Sequence, residues 1–123
     1  MSDQPAFALE VRDGVRIGPV RQPTNVSKDA AGSIHDDERA RELGFRGGTV
    51  AGNIHFEQYP PLLLDAFGED WWRTGSLSLY FLNATTDGEP VRAFVGVPQL
   101  RAEGGLRAEV WMETPEGVRV NEG

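Results

Sequence analysis

One helix-length apolar stretch constrains this chain more than any other feature. Residues 49–67 read TVAGNIHFEQYPPLLLDAF, and Val50, Ile54, Leu62, Leu63, Ala66 and Phe67 give the stretch an apolar face at helical spacing. Apart from one short helix before it, the chain to either side reads as strand or turn. Pro60 and Pro61 fall inside the stretch. They remove the donors that the carbonyls of Phe56 and Glu57 would receive in a continuous helix, so a kink or break at 59–61 is predicted. Gly68 then ends the helix.

Before it, residues 6–12 and 15–20 flank Asp13-Gly14, a dipeptide suited to a tight hairpin turn whose two central residues need positive φ. Pro19 and Pro23 close the second strand, and 24–32 reads as loop. After the helix come four strand-like runs, 76–85, 90–97, 106–113 and 118–121, separated by Asp87-Gly88, Pro98, Gly104-Gly105 and Pro115-Glu116-Gly117. Trp71-Trp72 is expected to pack over the C-terminal end of the helix. The order implies an α+β domain, with one long central helix on an antiparallel sheet of five or six strands. The 123 residues suffice for one such domain. The run at 118–121 is either a short edge strand or a strand cut off before the sheet is complete.

Composition excludes several classes. The formal net charge is −7, and Lys28 is the sole lysine among twelve basic residues. A broad nucleic-acid surface needs clustered Lys and Arg and is not expected; a single phosphorylated ligand remains within reach of Arg12, Arg16, Arg46 or Arg73. No run approaches the ~20 apolar residues of a membrane span, and MSDQPAF lacks the basic start and apolar core of a signal peptide. No cysteine is present, which removes disulfides, thiolate metal sites and a cysteine nucleophile. A cytoplasmic protein without a membrane or nucleic-acid partner is expected.

Most side chains able to do chemistry at neutral pH crowd into residues 29–57, which include both histidines, His35 and His55. Ser33-Ile34-His35-Asp36 has the form of a capping box for a short helix over 36–43, terminated by Gly44. His35 is then either an exposed first-turn residue or a catalytic one, and Asp29 either a solvated turn residue or its partner. His55 and Glu57 stand two apart on the long helix and cannot face one pocket; His55 reads as structural and Glu57 as exposed or interfacial. The two histidines match no metal-ligand spacing. Gly47 and Gly48 read as loop residues without a phosphate-binding pattern around them. Farther on, Tyr80 and Phe81 are strand neighbours that face opposite sides of a sheet, so that one of them can line a tunnel or a dimer seam. Asn83, Thr85 and Asp87 alternate as a polar row or as strand-end polarity.

These residues carry a resemblance. Asp29, His35 with Asp37 two positions on, Gly44-Phe45 and Gly52 at the opening of the apolar helix resemble the MaoC-like dehydratase and (R)-specific enoyl-CoA hydratase branch of the hotdog-fold superfamily. The match covers residues 24–67, and the flanking strands agree in order. Three positions depart from the pattern. Asp29 and His35 are one residue farther apart than usual, Gly32-Ser33 replaces Asn-Pro, and Ala51 stands where the branch often has His.

The resemblance implies a hotdog domain over residues 1–123 that adds or removes water at an enoyl or hydroxyacyl thioester, or a related carbonyl compound. His35 and Asp29 would be the acid/base pair, the Gly52 amide the oxyanion donor, and Ser33 and Asn53 further substrate-binding residues. No metal or redox cofactor is implied; coenzyme A or acyl carrier protein would be the substrate handle. A homodimer is expected, because a lone sheet of this size leaves an edge and a face uncovered. Alternatives are a hotdog thioesterase, a tailoring enzyme of secondary metabolism, or a non-catalytic hotdog subunit that binds a ligand or partner.

Overall fold

Asp13 and Gly14 both adopt positive φ, 52° and 81°, the geometry a tight right-twisting hairpin requires. They join β1 (Glu10–Arg12) to β2 (Val15–Ile17) in antiparallel register. The structure is a computed structural model describing residues 9–23, 50 and 52–123, apart from the side chain of Asn53. The expected strand residues 6–8, the Ser33 capping box, the helix over 36–43 and the Gly47-Gly48 loop lie outside the described residues.

The long helix is two helices. α1 spans Gly52–Phe56 and α2 spans Pro60–Phe67. The break predicted from the proline pair falls at residues 57–59, where Gln58 and Tyr59 donate to the carbonyls of His55 and Phe56 in tighter turns. Pro60 and Pro61 then open α2. In a first turn their missing N–H costs nothing, so the pair starts a helix where it would have broken one. Gly68, at φ 84°, ends α2. A third short helix, α3 (Asp70–Thr74), carries both tryptophans; Trp71 packs against the core while Trp72 stays exposed.

Among the described residues, six strands form one wholly antiparallel sheet. To β1 and β2 are added β3 (Tyr80–Phe81), β4 (Arg92–Val95), β7 (Val110–Glu113) and β8 (Arg119–Glu122), in the order β1-β2-β4-β7-β8-β3. Period-two alternation turns Ala93 and Val95 of β4, and Val110 and Met112 of β7, toward α2. With Val91, Val120 and the helix residues Tyr59, Leu62 and Leu63 they make the core. Burial of one leucine there contributes about 1.5–3 kcal/mol.

Two strand expectations are refined. The run at 106–113 divides, because Leu106–Arg107 (β6) leaves the main sheet to pair with Gln99–Leu100 (β5) across the Gly104-Gly105 turn. The last strand is not an edge. β8 is hydrogen-bonded to β7 on one side and to β3 on the other, and β3 occupies the edge.

Candidate functional site

The start of α1 is built from both ends of the chain's middle. The Val50 amide donates to the Thr85 carbonyl at 2.8 Å, which ties the backbone just ahead of Gly52 to the segment after β3. Phe81 closes the other side. Its Cζ lies 3.2 Å from where a Cβ on Gly52 would stand, so any side chain at position 52 would press on the ring. Phe81 and Asn121 are direct cross-strand partners and share the inner face of the sheet, while Tyr80 belongs to the other face. Because β3 is the edge strand, Phe81 is still about half exposed (51%). Gly52 itself is exposed, and as a first-turn residue its amide has no acceptor within its own helix.

His55 lies one turn into α1 and is buried. Its Nε2 is hydrogen-bonded to Thr85 Oγ1 at 2.7 Å, and its ring centroid is 6.4 Å from that of Phe81. Burial lowers the imidazole pKa by desolvating the charged form. The charged form of the ring is thereby disfavoured inside the protein, and its Nδ1 is buried without a hydrogen-bond partner among the described residues. Glu57, two residues on, is exposed. Thr85 departs from the expected polar row, since it is buried against the helix while Asn83 and Asp87 remain exposed.

Deeper under the break, Tyr59 Oη donates to Asn121 Oδ1 at 2.5 Å, and Asn121 Nδ2 reaches Met112 Sδ at 3.6 Å. Burial pushes the Tyr59 phenol well above its usual range, with a smaller opposing pull from Arg119. It stays a protonated donor, locking the start of α2 onto β8 beside Phe81.

Of the five residues assigned to the site, only Gly52 is placed with its surroundings. Asn53 lies in α1 with its side chain undescribed, and Asp29, Ser33 and His35 lie outside the described residues. Sequence reading missed Thr85 as the partner of Val50 and His55, and Asn121 as the partner of Tyr59. None of these pairs has a local signal, since they join residues 35, 30 and 62 positions apart. Among the candidate phosphate-binding arginines, Arg12 pairs with Glu10 at 2.9 Å, Arg16 with Asp65 at 3.0 Å and Arg73 with Asp70. Arg46 lies outside the described residues. The described residues contain no group of three or more His, Asp or Glu able to hold a metal ion, and no helix among them is long and apolar enough to cross a membrane.

Clefts of about 600 and 660 Å³ lie around β5 and β6, and neither includes Gly52, His55 or Phe81. The larger runs from Phe67 and Trp71 to Leu77 and Arg107.

What the arrangement offers chemically is an exposed glycine at a helix start beside the β3 edge, with a buried imidazole–threonine pair one turn farther along the helix. The architecture is that of a solved protein, the (R)-hydratase from A. caviae involved in PHA biosynthesis. The two superpose with a TM-score of 0.60 over 94% of this chain and 93% of that one, at 22% sequence identity. The chain has the hotdog fold. No protein-family model matches the sequence, and no curated protein does.

Proposed function

We propose that this protein, acting as one domain over residues 1–123, is a hydratase or dehydratase of enoyl and hydroxyacyl thioesters. The observation that carries the proposal is a coincidence of fold and motif. The chain shares its architecture nearly end to end with a protein described as an (R)-hydratase. Its Asp29, Ser33 and His35 precede in sequence Gly52, the first residue of α1.

Hydration adds a water oxygen to the β-carbon and a proton to the α-carbon. His35 and Asp29 divide the proton transfers, one activating the water and the other protonating the α-carbon, each typically contributing about 10²–10⁴-fold. The Gly52 amide receives the negative charge that builds on the thioester oxygen, a contribution of roughly 3–4 kcal/mol in comparable sites. The missing Cβ lets the carbonyl come close, and Phe81 stands beside it. Ser33 and Asn53 contact the substrate around this point. The acyl group arrives on coenzyme A or an acyl carrier protein, and no metal or redox cofactor enters the scheme.

A second copy of the chain completes the fold in this proposal. The β3 edge, with Tyr80, Phe81 and Leu82 all half exposed or more, is the natural seam for pairing two sheets.

The test is hydration of a short trans-enoyl coenzyme A thioester, followed by loss of enoyl absorbance, with wild type and His35→Ala. Wild type is expected to hydrate it and the variant to lose at least about 10²-fold in kcat. Equal rates in the two, or no turnover by wild type, refute the proposal. Release of free thiol without hydration replaces it with thioester hydrolysis.

A further inference from the structure

Thr85 grips both flanks of Gly52. Its carbonyl accepts from the amide of Val50, two residues before the glycine, and its hydroxyl bonds the ring of His55, three residues after. Thr85 and His55 are only 3% and 2% exposed, so water does not compete for the bond between them. Thr85 is reached from the edge strand through Leu82 and Asn83, whose amides both donate to the Val120 carbonyl of β8. The helix start is thereby registered to the rigid sheet through one side chain and one carbonyl.

We propose that Thr85 is a positioning residue of the hydratase site: through Val50 and His55 it sets where the Gly52 amide stands relative to the thioester oxygen. The role rests on the function proposed above. A donor that acts on the transition state must already be in place when charge develops, and a displacement of about 1 Å in such a group can cost on the order of 10²-fold. His55 serves in this arrangement as a neutral strut and moves no proton. An effect on Gly52 geometry falls on kcat, because ground-state binding draws on the rest of the acyl and carrier contacts.

The test uses two matched pairs of variants in the enoyl-thioester assay. Thr85→Val keeps the shape and the carbonyl and removes only the hydroxyl, while Thr85→Ser retains it. Thr85→Val is expected to lower kcat by about 10–100-fold with KM within about threefold, and Thr85→Ser to keep at least about a third of the wild-type kcat. His55→Leu should match Thr85→Val, and the Thr85→Val/His55→Leu double variant should fall no further than either single one, as expected of a pair acting as a unit. Wild-type kcat in Thr85→Val, equal losses in Val and Ser, or multiplicative losses in the double variant overturn the role. If Thr85→Val does not fold, as read by circular dichroism, the decision passes to His55→Gln against His55→Leu. Recovery with Gln, whose amide can reach the hydroxyl, supports the role, and equal loss overturns it. An inactive wild type removes the hydratase proposal and this role together, whereas an active wild type with an unaffected Thr85→Val removes this role alone.

Discussion

Tyr59 and Asn121, 62 residues apart, are joined by a buried 2.5 Å hydrogen bond from the phenol to the amide oxygen. Both residues are fully buried, and the bond stands where the helix restarts after its break. Tyr59→Phe removes the donor and strands the Asn121 oxygen, and should destabilise the protein by about 1–3 kcal/mol in urea unfolding. Replacing both partners, as Tyr59→Phe with Asn121→Leu, should recover most of the loss, since two apolar groups leave nothing unpaired. A loss below about 0.5 kcal/mol in the single variant would show that the bond carries little net stability.

The buried His55 makes stability depend on pH in a stated direction. Its folded pKa is lowered, so below the ordinary value near 6.5 the unfolded chain takes up a proton that the folded protein refuses. Stability from this group is complete above that value and drains away as pH falls from there toward the lowered folded pKa. The slope approaches, at most, about 1.4 kcal/mol per pH unit. Urea midpoints at pH 7.5 and 5.5 measure it, with His55→Gln as the reference. The same acid sensitivity in the variant would assign the effect to other groups.

Gly52 and Phe81 should show coupled energetics. Gly52→Ala places a methyl group 3.2 Å from the Phe81 ring, and in wild type this should cost roughly 0.5–1.5 kcal/mol while lowering hydration activity. With Phe81→Ala in the background the clash disappears, and alanine's helix propensity should make the same change neutral or stabilising by up to about 1 kcal/mol. Additive effects in the double-mutant cycle would mean that the ring yields freely.

The β3 edge carries the assembly prediction. Tyr80 is 72% exposed on it, and Tyr80→Lys puts a charge where a second sheet would dock. Light scattering coupled to size exclusion should give twice the 13.5 kDa chain mass for wild type and the single-chain mass for the variant. A wild-type monomer would overturn the dimer, and a variant that remains a dimer would move the seam away from β3.

Local features of the sequence were read with little loss. The Asp13-Gly14 turn has the positive φ pair its composition demands, and the proline pair marks the helix break to within a few residues. The inward alternation of Ala93 and Val95 follows from the two-residue period of a strand. Less legible was the split of the run at 106–113, because β-branched and apolar residues favour a strand without naming its partner. Of the candidate site, the type of Gly52 and its place at a helix opening were legible. The depth of Thr85 was not, because an alternating Asn, Thr, Asp series looks the same whether its middle member faces water or a buried imidazole.

The hairpin turn, the helix break and the inward faces of the main strands were written in the sequence, since turn dihedrals, proline effects and strand periods depend on neighbours within a few positions. Tertiary structure decided that the last strand is interior, that Phe81 lies over Gly52, and that Thr85 and Asn121 take up the polar groups of His55 and Tyr59. Those contacts follow from strand order and from how two short helices lie across the sheet. Both are settled by the packing of the whole core, to which no short stretch of sequence answers alone.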